Sequence, residues 1–201
     1  MPANIPKVPH RVPEQPESQE LNLYDRLLQE RLIFLNQAVD SAIANQTIAA
    51  MVYLEGKETG RDIRLYINSQ GGSGRESFTA GLAIYDTMRC LSSDVMTVCT
   101  GMAVGAAAFL LAMGAAGKRL ALPNARIRLS QPMHVIGERS VTEIDIEARE
   151  LLQLRQTLAE ILASRTRQSV EKILEDTERV FSLSAQAALD YGLIDQVVSC
   201  G

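Results

Sequence analysis

The chain is short of cysteine, histidine and excess positive charge, and each shortage removes a class of protein. Its three cysteines, Cys90, Cys99 and Cys200, lie far apart and are odd in number. They form neither a disulfide framework nor a CxxC metal pair, and such usage suits a reducing compartment. Two histidines, His10 and His134, are too few for a His-rich metal site. Twenty Lys and Arg stand against 24 Asp and Glu, a net charge of −4, which argues against a generic nucleic-acid binder. The N-terminus shows no apolar stretch of the secretory kind. Glu14, Glu17 and Glu20 depart from the acid-poor character of a transit peptide.

What remains is a chain of 201 residues with 46% hydrophobic content, enough for one core and too apolar for a disordered protein. Five of its seven prolines (Pro2, Pro6, Pro9, Pro13 and Pro16) fall at the start. Residues 1–20 therefore read as an extended, flexible arm that cannot form a helix or join a central strand. Residues 21–201 read as a single domain. The uncharged run 95–117 is long enough to span a bilayer. It opens like a buried strand, however, and carries Gly101, Gly105, Gly114 and Gly117. A strand, a turn and a buried Ala-rich helix explain it better.

Strand and helix signals alternate. Residues 24–28 suggest a helical turn and 32–35 a short buried strand. Residues 40–55 suggest a helix. Ile63, Leu65 and Ile67 alternate with Arg64 and Tyr66 in the period of a strand. After Gly71-Gly72 come a helix over 78–90, a strand over 95–99, a helix over 103–113 and a strand over 126–129. The longest helix spans 142–165, with Thr142 and Asp145 as its capping pair. Its apolar stripe holds Ile144, Ala148, Leu151, Leu152, Leu158 and Leu162. Ser169 and Ser184 open two shorter helices, and 194–198 closes as a strand. The class is α/β.

Chemistry is expected where glycines meet helix starts. Gly71-Gly72 lets backbone amides approach a small oxyanion. Residues 101–106 (GMAVGA) are read as opening a helix, whose first amides form a second anion-stabilising end. Together they resemble the two halves of an oxyanion hole, with Gly72 and Ala106 supplying the amides.

The sequence around these motifs makes a specific resemblance. Residues 24–35 (YDRLLQERLIFL), 65–72 (LYINSQGG), 83–88 (AIYDTM), 107–111 (AAFLL), 117–124 (GKRLALPN), Gln131-Pro132, 148–151 (AREL), 176–179 (DTER) and 191–195 (YGLID) follow one another in order. They resemble the ClpP family, the proteolytic subunits of Clp proteases. The resemblance implies a ClpP/crotonase-like α/β fold with a protruding handle at about 133–166, assembled in heptameric rings. It also implies a Ser-His-Asp peptidase. Here the serine position holds Gly105, the histidine position Ser130 and the aspartate position Val180. Nucleophile, base and orienting group are all replaced, so the chain is expected to be no enzyme by itself. The segment 73–77 is extra relative to the family and is expected to obstruct the substrate groove beside the oxyanion hole.

This pattern resembles ClpR, the triad-less branch in cyanobacteria and plastids. It implies mixed double rings (a tetradecamer) with a catalytic ClpP-type chain, and an Hsp100 ATPase chaperone of ClpC or ClpX type that feeds unfolded proteins to the chamber. It implies no cofactor, metal, nucleic acid or membrane, and a cytoplasmic place in a cyanobacterium, with the plastid stroma second. The chaperone-docking groove carries over to Arg64, Tyr66, Cys90, Val98, Thr100, Leu120 and Leu122, and the ring-to-ring handle to Ile144, Ala148, Leu151, Leu152 and Leu158. Arg64, Cys90 and Thr100 depart from the family's apolar and aromatic character there. Two other readings stay open. One is a hydrolase using unorthodox residues, Ser130 with His134 or the thiol of Cys99. The other is a crotonase-like acyl-CoA enzyme, which needs no serine nucleophile.

Overall fold

The computed structural model describes residues 6–10, 19–72, 74–133, 137 and 140–198. His134, Cys200 and most of the proline-rich arm lie outside the described residues. The two described pieces of the arm, β1 (Lys7–His10) and β2 (Gln19–Asn22), pair antiparallel in a small sheet of their own. This pairing was not foreseen from the sequence.

The main sheet grows from β3 (Leu32–Leu35), which follows the short helix α1 (Leu23–Gln29). Helix α2 (Ser41–Lys57) comes next, started by Asp40, whose Oδ1 accepts the Ile43 amide at 2.8 Å. Its buried residues, Ala44, Thr47, Met51 and Leu54, form one stripe at helical spacing. β4 (Ile63–Ser69) alternates strictly, with Ile63, Leu65, Ile67 and Ser69 buried on one face. α3 (Gly74–Cys90), β5 (Val95–Val104) and α4 (Ala106–Ala112) follow. Then come β6 (Arg119–Ala121), β7 (Arg126–Leu129), α5 (Val141–Arg165), α6 (Val170–Asp176), β8 (Phe181–Ser184), α7 (Ala185–Tyr191) and β9 (Gln196–Val197).

The strand order is β3-β4-β5-β6-β9, all parallel. β5 is long enough to serve two neighbours on one side. Thr97–Cys99 pair with β6, and Met102–Val104 pair with β7. β8 lies antiparallel on β7. All seven residues of α4 are buried, which places this helix at the centre of the core.

Two arginines tie the sheet's ends. Arg31 is only 3% exposed, and its guanidinium donates to the carbonyls of Leu54, Arg61 and Asp62. Arg119 pairs with Asp195 at 2.5 Å and also donates to the carbonyls of Arg165 and Gly192. Burial works against the Asp195 carboxylate, but the Arg119 hydrogen bonds outweigh it and hold its pKa below the usual range.

Several boundaries differ from expectation. Residues 101–104 extend β5 rather than open a helix, because β7 supplies their hydrogen-bond partners. α5 starts one residue early, at Val141, behind a capping box of Ser140 with Glu143, so Thr142 is inside the helix. α3 begins at Gly74, not Phe78, so the described part of the extra segment is a helical turn rather than a loop. β6 and β8 had no counterpart in the sequence reading. The uncharged run 95–117 is β5 with α4, and among the described residues no helix is long and apolar enough to cross a membrane.

Candidate functional site

The end of β5 turns abruptly into α4 at Gly105. Its φ of 53° and ψ of −117° lie where glycine is favoured and other residues are strained. This is the strand–elbow–helix geometry that exposes a nucleophile in many hydrolases. Two hydrogen bonds fix the elbow. The Gly105 amide donates to the Arg128 carbonyl, and the Gly105 carbonyl accepts from the Phe109 amide, each at 2.9 Å.

Two of the three positions that the resemblance marks for a triad, Gly105 and Ser130, lie together here. A Cβ at Gly105 would lie 3.6 Å from Ser130 Oγ and 3.6 Å from Phe78 Cζ, ordinary contact distances. Leu129 and Phe181 form the last antiparallel pair of their strands, and Ser130 and Val180 are the residues just beyond it. Gln131 fastens this end. Its amide donates to the Thr177 carbonyl at 3.1 Å, and its Nε2 donates to the Glu178 carbonyl at 3.0 Å. Val180 stands at the rim and is 61% exposed.

Gly105 and Ser130 line a small cavity of about 20 Å³, with Phe78, Phe109 and Leu158 among its walls. It has room for one water. Among the described residues, no carboxylate, imidazole or thiol lines it. Its hydroxyls belong to Ser130 and Thr177, and neither has a base beside it there. Cys99 is no substitute. It is fully buried in β5, and burial pushes its thiol up to about 12, far from the reactive thiolate.

The Gly71-Gly72 turn lies beside the elbow. Gly71 (φ 77°) presses so closely on the elbow that a Cβ there would fall 2.4 Å from the Val104 carbonyl oxygen. This sets Gly71 against the end of β5, just before α4, where the Ala106 amide has no acceptor within its helix, while Gly72 lies against the Val39 carbonyl and Ser77. Among the described residues no cluster of three or more metal-ligating side chains occurs.

The residues that the resemblance marks for a docking groove, apart from Cys90, fall on the sheet face opposite the buried face of β4. Phe34, Tyr66, Val98 and Leu120 stand side by side across four strands. Arg64 belongs to the next row, with Leu32 and Met96. Thr100 and Leu122 continue the face and are half-buried. Cys90 stands apart, exposed at the C-terminal end of α3. Sequence reading missed two aromatics of this face. Phe34 stacks on Tyr66 at 5.4 Å between centroids, and Tyr24 meets Phe34 edge-on at 5.5 Å. The signal was available, since Phe34 occupies the outward position of β3.

The stripe on α5 divides along its length. Leu158, Ala159 and Leu162 are buried in the chain's own core. Ile144 and Ala148 are exposed, Leu152 is 62% exposed, and Leu151 is half-buried. The first half of the helix therefore stands off the body.

The Clp protease family model matches residues 15–200. The chain belongs to the Clp protease family. It is 47% identical over 199 residues to the ATP-dependent Clp protease proteolytic subunit 2 of Prochlorococcus marinus strain MIT 9313, covering 99% of this chain and 98% of that protein. It is 46% identical over 199 residues to the protein of the same name from strain NATL2A, with the same coverage. A proteolytic subunit 3 from Parasynechococcus marenigrum strain WH8102 matches equally, at 46% over 199 residues. The Clp fold accounts for the parallel sheet, the buried α4 and the projecting α5.

Proposed function

We propose that this chain is a catalytically silent, ClpR-type subunit of an ATP-dependent Clp protease. It assembles with serine-bearing ClpP-type chains in mixed heptameric rings, and two rings stack to enclose a chamber for unfolded proteins. Its contribution is architectural. It completes the chamber wall, lowers the number of cutting sites and alters the surface offered to the Hsp100 ATPase.

The observation that carries this reading is the glycine at the elbow. The backbone there is that of a nucleophile turn, yet no side chain projects from it. Among the described residues the neighbouring Ser130 hydroxyl has no base lining its cavity, and Val180 is unable to orient an imidazole. The exposed first half of α5 suits contact between rings. The mixed Arg64 and Tyr66 character of the groove face suits weaker or more selective docking of an apolar ATPase loop.

The test is native mass spectrometry of the tagged chain purified from its own cells, combined with fluorophosphonate labelling. A double-ring particle that contains a second, labelled Clp chain while this chain stays unlabelled is the expected result. Labelling of this chain, or a particle containing only this chain, would overturn the proposal.

A further inference from the structure

The first turn of α3 falls in the segment 73–77 that the resemblance marks as extra, and it reaches in two directions. Arg75 Nη1 donates to Glu147 Oε2 of α5 at 3.0 Å, across 72 residues of sequence, with both side chains partly buried. Glu147 is the inward point of the half of α5 that leaves the body, for every other residue from 141 to 150 is exposed. Gly74 approaches the base of the same projection, where a Cβ would lie 3.1 Å from the Met133 carbonyl oxygen. Three residues after Arg75, Phe78 covers the cavity at Gly105.

A helix that leaves a domain with most of its surface in water is free to tilt about its base unless something braces it. Arg75 is well suited to be that brace. The turn that carries it runs directly into a buried one, since Ser77, Phe78, Ala80 and Gly81 are all buried. The anchor is therefore part of the core, and a partly buried, charge-assisted hydrogen bond holds its geometry better than an exposed pair.

We propose that the first turn of α3 is a strut that fixes the projecting half of α5 to the body at Arg75–Glu147. It presents that half of the helix at one angle. This goes beyond the silent-subunit reading and borrows from the family only the statement that the turn is extra. An active chain with the same turn would be braced in the same way.

Hydrogen exchange read by mass spectrometry tests it on the full chain, with wild type and variants compared in the same assembly state. Arg75→Ala is expected to speed exchange of amides 141–152 about threefold to tenfold and to leave those around Leu158 and Leu162 unchanged. Glu147→Gln should give the same pattern. Arg75→Lys, which keeps the charge, should recover most of the protection. Unchanged exchange in Arg75→Ala, loss spread evenly through the sheet, or no recovery in Arg75→Lys would overturn the strut.

Discussion

Replacing Gly105 with serine separates the backbone of the elbow from its chemistry. The residue sits at φ 53°, ψ −117°, where a side chain is strained whatever the space around it. Space itself is available, because the nearest atoms to a new Cβ lie at 3.6 Å. The cost is therefore that of the backbone alone, about 1–3 kcal/mol. For a chain of this length that corresponds to a fall in Tm of roughly 2–12 °C. Gly105→Ala, which adds strain without a hydroxyl, should fall by a similar amount, and any difference between the two reports a bond to Ser130. Differential scanning calorimetry reads the stability. Peptide hydrolysis and fluorophosphonate labelling read the chemistry, and both should stay at background because no base has been added. An unchanged or raised Tm would refute the strain argument. Efficient cleavage by the single variant would refute the account of the missing base. Gly105→Ser with Ser130→His and Val180→Asp supplies all three groups at the positions that the family resemblance marks, and it should become labelled where the single variant does not.

Three further outcomes follow from the same geometry. Leu158→Ala should lower the stability of the chain by about 2–5 kcal/mol, whereas Leu152→Ala should change it by less than about 0.5 kcal/mol and instead weaken ring pairing. Urea denaturation and native mass spectrometry distinguish the two effects, and equal destabilisation by both would contradict the division of α5. Asp195→Asn should cost about 3 kcal/mol by leaving Arg119 without its carboxylate. The folded pKa of Asp195 is lowered, so its contribution is present above the ordinary carboxylate value near 4 and fades as pH falls through the lower folded value. The gap between wild type and variant should therefore close in strong acid, and a gap that widens there would reverse the sign of the argument. Arg64→Leu should tighten docking of an apolar ATPase loop peptide measured by fluorescence anisotropy, and an unchanged Kd would show that Arg64 does not face the docked segment.

Local signals in the sequence were read well, and long-range ones poorly. Ser169 and Ser184 mark their helices because a cap acts within a few residues. β4 is legible because alternation is intrinsic to one strand. Residues 101–104 look helical in isolation, being small and glycine-flanked, and they become a strand only because 126–128 arrive beside them. At the start of α5 two capping boxes compete, Ser140 with Glu143 and Thr142 with Asp145. The structure uses the first, whose longer glutamate reaches back to both the amide and the hydroxyl of Ser140. Positions 105, 130 and 180 were found through the family resemblance rather than through periodicity. The approach of Ser130 to Gly105 depends on β7 pairing with the end of β5, which no local pattern encodes. The Arg75–Glu147 contact carried no signal at all in the sequence.

The division of β5 between two neighbours has a consequence in time. Its first half needs β4, already made, and β6, which ends at Ala121. Its last residues and the elbow need β7, and the Ser130 end of β7 is tied by Gln131 to Thr177 and Glu178. A chain emerging from the ribosome can therefore lay down β3, β4, β5 and β6 while the elbow still lacks its support. Residues beyond 178 must be out before the pocket around Gly105 takes its shape. A nascent chain that stalls earlier holds most of a sheet and no finished site, with the apolar face of α4 still waiting for α5 and β7 to cover it.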